Sequence, residues 1–251
     1  FFTILVDSRN DYKTNGANLE LLYFILIHPI ETLMLFTFKC LLSITSSHGF
    51  SIILLSILIN IILLPLSFFA DKLQSKERQV QAEMKPKLDE YKSVFKGNEL
   101  FLYTKNLYKQ HNYRPYYALR SLVGLSIQIP FFIAAYHLFI NMNDLQSINF
   151  LFINDLGTQD RMISIFSSEI NLLPIVMTII NLSSAFIYRE KLSNVEKYPI
   201  FFLSFLFLIL LYNAPSGLIL YWTFNNIFSL AKNAYTIKLS PIDNESHALK
   251  D

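Results

Sequence analysis

FSIILLSILINIILLPLSFFA, residues 50–70, runs straight into DKLQSKERQVQAEMKPKLDEYKSV at 71–94. The first segment has no charged side chain, and about 20 apolar residues are what an α-helix needs to cross the hydrocarbon of a bilayer. The composition then inverts: residues 71–118 are 48 residues with ten Lys/Arg and six Asp/Glu, a net +4. Charges at that density do not stay in hydrocarbon, so 71–118 is a domain held outside one face of the membrane.

Working outward, further apolar segments cover 121–140, 170–188, 199–212 and 214–231. The last two are joined through Asn213 alone, and Asn213-Ala214-Pro215-Ser216-Gly217 is a turn signal, so together they form a tight helical hairpin. Lys/Arg placement orients the bundle. The stretch after the first span has ten, 141–169 only Arg161, 189–198 three, the 213–217 turn none and the tail after 231 three. This alternation predicts an N-terminus outside and a C-terminus in the cytoplasm.

Composition agrees: 53% hydrophobic and 15% aromatic residues, with 23 Phe and only six Gly, belong to a membrane protein. The net charge of +2 says little, because the charges are segregated along the chain. No basic cluster points to nucleic acid. Cys40 is the only cysteine, which excludes an internal disulfide and a multi-cysteine metal site and leaves it a packing residue. The chain starts at Phe1 rather than Met, which points to a processed or truncated form.

Upstream of the first span, Ile30, Leu33, Met34, Leu41 and Leu42 recur at helical spacing, with Thr32, Lys39 and Ser43 on another face. An amphipathic helix lying on the outer surface explains this better than a sixth span, which would bury His28, Pro29 and Glu31 mid-membrane. In the charged stretch, Leu73, Val80, Met84, Leu88, Tyr91 and Phe95 form one helical stripe and Leu100, Tyr103 and Leu107 a second. Gly97-Asn98 between them can take the left-handed conformation that ends a helix, giving an antiparallel hairpin. The resulting domains are an extracytoplasmic segment 1–20, an interfacial helix 21–48, a five-span core 49–233 containing the cytoplasmic hairpin 71–118, and a cytoplasmic tail 234–251.

Several side chains inside the spans are polar. Ser56 and Asn60 lie in the first span, Gln128 in the second, Asn181, Ser183 and Ser184 in the third, and Tyr221, Trp222, Thr223, Asn225 and Asn226 in the last. Taken singly, each reads as interhelical glue; as a set spread over four spans, they imply a shared polar cavity. The spans contain no Asp or Glu and one His, His137, so a carboxylate proton relay has no raw material. Gly-x-Ser-x-Gly, His-Glu-x-x-His and phosphate-binding glycine loops are absent, which argues against an enzyme and against nucleotide-driven work.

Six segments in order resemble the conserved core of the YidC/Oxa/Alb family of membrane protein insertases: Gly49-Phe50-Ser51-Ile52-Ile53, Leu63-Leu64-Pro65-Leu66, Ile127 to Phe132, Phe150 to Leu156, Leu173-Pro174-Ile175, and Pro215 to Asn226. The resemblance runs from about Leu22 to Asn233. It implies an all-α membrane protein: a five-transmembrane-helix insertase core in the bacterial cytoplasmic (inner) membrane, with a cytoplasmic helical hairpin and an outer amphipathic helix. It also implies a hydrophilic groove that takes the polar tail of a nascent membrane protein part-way across, without nucleotide hydrolysis by the insertase and without a cofactor or metal. Its partners would be nascent membrane proteins, the lipid bilayer, and the ribosome or Sec translocon.

By position, Ser56, Gln128 and Tyr221 match groove-lining residues of that family and Trp222 its aromatic neighbourhood; Asn60, Asn181 and Asn225 complete the expected groove. Asn60 departs from the pattern, since typical bacterial members carry an Arg there; an amide keeps hydrogen bonding and loses the charge. Residues 113–120 replace a shorter connection, and Arg114 and Arg120 read either as ordinary cytoplasmic anchors of the positive-inside rule or as partial replacement of the lost charge at the groove mouth; with Lys85, Lys87 and Lys92 they form the expected cytoplasmic contact surface. The tail 232–251 holds three Lys, two Asp and one Glu, too little positive charge for strong ribosome docking. Two other readings compete with an insertase: an insertase-like scaffold or accessory subunit of an envelope-polymer export complex, and a small-solute transporter, which the lack of inverted repeats disfavours.

Overall fold

A computed structural model of the chain describes residues 20, 21, 23–117, 123–165, 168–187 and 194–239. Within them the protein is mostly helical. The N-terminal segment before Glu20, Arg120 and the tail beyond Leu239 lie outside the described residues. The chain forms two compact units, one made of residues up to Ile61 and from Ile133 onward, the other of Ile62–Phe132.

The first unit opens with a π-helical turn, Tyr23–Ile27, that leads into α1, His28–Thr45. Pro29 is tolerated in the first turn because its missing N–H has no intrahelical acceptor there. The helix ends where Ser46 turns left-handed at φ 54 and returns its N–H to Leu42 O at 2.9 Å. Thr45 Oγ1 then bonds the Ser51 hydroxyl at 2.7 Å and fixes the start of α2, His48–Val94. No backbone break marks Asp71: the apolar segment and the first arm of the charged hairpin are one helix with Pro65 and Pro86 inside it. A change of surroundings from lipid to water alters which side chains are favoured but not the helix's own hydrogen bonds, so the composition shift needs no turn.

Between α4 (Val123–Asn141) and α5 (Leu172–Ile187) the chain is more structured than a plain connection. It holds a 3₁₀ turn at Asn143–Leu145 and an antiparallel pair, β1 (Ile163–Ile165) with β2 (Ser168–Ile170), in register Ile163 to Ile170. Leu145, Ile153 and Leu156 from this segment are buried. Its polar groups terminate the neighbouring helices. Asp160, 5% exposed, accepts from the N–H groups of Leu172 and Leu173 at 2.6 and 3.1 Å, satisfying orphan donors at the start of α5. Thr158 O and Leu156 O take the N–H groups of Ser216 and Gly217 at the start of α7, at 2.7 and 2.8 Å. A Cβ on Gly217 would stand 3.1 Å from both Leu156 O and Leu145 Cδ1, so glycine admits this close docking where a side chain would push its neighbours by a few tenths of an ångström.

α6 runs Asn194–Leu211, starting before Pro199, and α7 runs Ser216–Leu239. The apolar segment read from Pro199 is thus the later part of a longer helix.

In the second unit, α3 (Gly97–Gln110) follows α2 through Phe95 and Lys96. Gly97 takes φ +58 with open space where a side chain would be. Met84, Leu107 and Tyr113 form the core of this hairpin, with Val80, Leu88, Tyr91, Tyr108 and Tyr117 packed on it. Tyr103 stacks on Phe95 at 4.1 Å between ring centroids and lies 5.4 Å from Tyr91. Both sequence stripes therefore meet face to face.

Candidate substrate groove

Ser56 and Asn60 stand one helical turn apart on α2, and Tyr221 and Asn225 one turn apart on α7, so each pair shares a face. The two faces meet through side-chain amides. Asn60 Nδ2 donates to Asn225 Oδ1 and, at 2.8 Å, to Ser56 O of its own helix. Ser56 is fully buried, and its Oγ has no hydrogen-bond partner among the described residues. The same holds for the buried Nδ2 of Asn226, next to Asn225. A buried hydroxyl and amide without partners carry a desolvation cost that water or a polar ligand would relieve.

Tyr221 is 2% exposed, with its ring 5.6 Å from Phe139. Trp222 is buried and stacks on Phe207 of α6 at 5.5 Å. Asn181 of α5 accepts from Ser204 Oγ of α6 at 3.5 Å. Thr223 and Thr178 bond back to Ile219 O and Pro174 O, each at 2.7 Å, and so satisfy themselves within their helices. Of the expected groove residues, the structure gathers Ser56, Asn60 and Asn225, puts Tyr221 one turn along the same face, and turns Asn181 and Trp222 toward α6. Gln128 is exposed on α4 in the second unit. Asn226, one of the polar residues read in the last span, was not assigned to the groove by position. The cluster is uncharged: it can donate and accept hydrogen bonds and cannot hold a fixed ionic partner.

Lys85, Lys87, Lys92 and Arg114 are all exposed in the second unit. Arg114 lies over the Tyr116 ring at 5.9 Å and donates to its hydroxyl at 3.2 Å, which holds the guanidinium above its ordinary value. Arg120 is outside the described residues.

Two polar clusters escaped the sequence reading. In the hairpin, Glu77 is 2% exposed and accepts from Tyr113 Oη at 2.7 Å and Gln81 Nε2 at 2.9 Å. Burial, then the bond to Glu77, pushes the Tyr113 hydroxyl up to about 12. The signal was there: Glu77 falls between Leu73 and Val80 on the apolar stripe, where a carboxylate requires a partner. In the first unit, Glu31 of α1 pairs with His137 Nδ1 of α4 at 2.8 Å and accepts from Tyr23 Oη at 2.6 Å. The lone acid of α1 and the lone histidine of α4 are thus partners.

Comparison with known proteins gives these features a context. The model of the family described as 60Kd inner membrane protein matches residues 40–243. The chain belongs to that family. Its relatives include proteins named membrane protein insertase YidC. The one from Treponema denticola is 30% identical over 217 residues, covering 80% of this chain and 36% of that protein. Those from Helicobacter pylori and Janthinobacterium are 33% identical over 208 residues and 30% over 220, covering 80% and 83% of this chain and 35% and 36% of theirs. The chain thus spans about a third of the length of these curated relatives. A solved structure titled as an active YidC insertase with its first transmembrane domain resolved aligns with a TM-score of 0.54 at 21% identity, covering 93% of this chain and 49% of that one. That likeness shows a shared fold, and the resemblance carried by the six motifs is a family relation.

Proposed function

We propose that this chain is the membrane-embedded core of a membrane protein insertase, which inserts nascent membrane proteins and assists their folding through a polar groove, without hydrolysing nucleotide. The observation that carries this reading is the Asn60–Asn225 amide pair, with Ser56 one turn along α2 and with the buried Ser56 Oγ and Asn226 Nδ2 unpartnered among the described residues, inside helices of a family whose named members are insertases. Polar groups at membrane depth lower the cost of carrying a hydrophilic segment into the bilayer, while the apolar segment of the substrate partitions into lipid.

In this reading the five spans are 50–70, 121–140, 170–188, 199–212 and 214–231, in a bacterial inner membrane, with the N-terminus outside and the C-terminus inside. The hairpin 71–118 faces the cytoplasm, and its Lys85, Lys87, Lys92 and Arg114, with Arg120, meet the incoming chain, a ribosome or a Sec translocon. By length and composition Tyr23–Thr45 also qualifies as a span. We place it at the outer surface, because Glu31 pairs with His137, one turn from the Asn141 end of α4 that this orientation puts outside. The relatives' names favour an insertase over an export scaffold.

Reconstitution in liposomes with a short single-span substrate tests the reading: insertion well above that of empty liposomes is expected, and equality with them would remove it. Labelling Asn60→Cys in a Cys40→Ser background tests the groove. Modification from the cytoplasmic side supports it; complete protection leaves only packing glue.

A further inference from the structure

The segment between α4 and α5 carries an apolar feature with no role in the groove. Phe150 and Ile153 exchange both backbone hydrogen bonds at 2.9 Å and are buried, at 7% and 1% exposure. The two residues between them, Leu151 and Phe152, are 76% and 66% exposed. Leu151 sits at φ 52, the left-handed region at the first position of a two-residue turn where glycine is usual. A bulky residue held there, beside a second large apolar side chain, is doubly unfavourable in water. From Leu145 to Asn154 the chain has no charge. The nearest acid on the far side, Asp155, is turned back into the loop by the N–H groups of Ser147 and Gly157 at 3.0 and 2.8 Å.

The turn is seated on the start of α2. The Phe150 ring packs where a Cβ on Gly49 would collide with it, and it meets Phe50 edge-on at 5.2 Å. Phe50 in turn heads an exposed apolar stripe at helical spacing, Phe50, Leu54, Leu58 and Ile61. The exposed pair thus extends an apolar surface that continues down α2.

We infer that Leu151 and Phe152 form a wedge that enters the outer lipid–water boundary of the bilayer and anchors the α4–α5 segment to it. Side chains at such a boundary bury ~5–10 Å into the headgroup–acyl region, which removes the water contact that disfavours this turn. The occupant is lipid, because the wedge continues a stripe of the first span and has no charge or polar group with which to specify a protein partner. The inference rests on the proposed membrane placement of 50–70, and the test separates the two.

The full chain is reconstituted in vesicles after Cys40→Ser, with an environment-sensitive fluorophore on Phe152→Cys, or on Leu151→Cys as a second site. Leu58→Cys serves as the span control and Gln146→Cys as the exposed-loop control. Phosphatidylcholine carrying a nitroxide near the headgroup end of its acyl chain is expected to remove about half of the intensity at 152, while iodide quenches 152 several-fold less than 146. Iodide quenching at 152 equal to that at 146, with Leu58→Cys quenched by nitroxide lipid, overturns the wedge and leaves the span intact. A label at 58 untouched by nitroxide lipid overturns the membrane placement and the wedge with it. Protection of 152 from both quenchers, lost as the protein is diluted in lipid, would mean that a second copy covers the turn and also overturns the inference.

Discussion

Replacing Asn60 and Asn225 by leucine, singly and together, tests whether the amide pair joins α2 to α7 and whether it serves transport. Each leucine removes an amide from an apolar helix, which alone is favourable by transfer, so the single variants can be near neutral. The pair itself is isolated by the failure of additivity. Asn60 donates to both Asn225 Oδ1 and Ser56 O, and only the first of these couples the two helices. Polar pairs between membrane helices average about 0.6 kcal/mol and reach about 1.7, so a coupling of roughly 1 kcal/mol is expected for a partly buried amide pair. Reversible unfolding in mixed micelles over increasing SDS measures it, and insertion of a single-span substrate is followed in the same four proteins. A coupling within about 0.3 kcal/mol of zero, the usual error of additivity, means that the pair is not formed. If the double variant inserts as fast as the parent, the amide pair does not serve transport and the groove assignment falls, whatever it contributes to stability.

Four other predictions bear on the same scheme. Asn60→Arg places a charge that costs about 3 kcal/mol at the centre of a lipid-facing helix, far less in a hydrated groove, and should speed insertion of substrates with acidic translocated tails; unchanged insertion at equal protein level counts against charge as the missing element. Tyr113→Phe removes the hydroxyl from the buried Glu77 carboxylate and should loosen the hairpin by about 1–3 kcal/mol, read as faster proteolysis near residues 95–98 with little effect on the spans. Gly97→Ala meets no neighbour, so its cost of about 1–2 kcal/mol is conformational alone, and Gly97→Asn, which tolerates positive φ, should recover much of it in the same assay. His137→Ala strips one partner from Glu31 and should lower stability by about 1 kcal/mol while Glu31→Gln/His137→Ala together costs no more; strict additivity would show that the two residues do not interact.

The hairpin was largely legible because its two apolar stripes and the Gly97 break are local patterns, and helix periodicity is a property of neighbours in sequence. The candidate groove was legible only as a roster of polar residues. Asn181 and Trp222 turn toward α6 while Asn225 turns toward Asn60, distinctions that depend on how each helix is rotated about its axis, and a helix rich in apolar residues on all sides does not advertise its rotation. The β1–β2 pair and the Asp160 and Thr158 caps had no counterpart in the sequence reading, since three-residue strands and remote caps leave no periodic signal.

Segregation of apolar from charged residues is written in the chain itself, because transfer between water and hydrocarbon is a property of each segment regardless of its neighbours. That alone determined the membrane class and the basic hairpin beyond Ala70, while the family resemblance rests on specific residues in six ordered motifs. Pairing belonged to the tertiary structure. Asn60 with Asn225, Glu31 with His137, and Phe150 on Gly49 join residues about a hundred positions or more apart. Hydrogen bonds act only within about 3 Å, and only the packed helices bring such atoms that close.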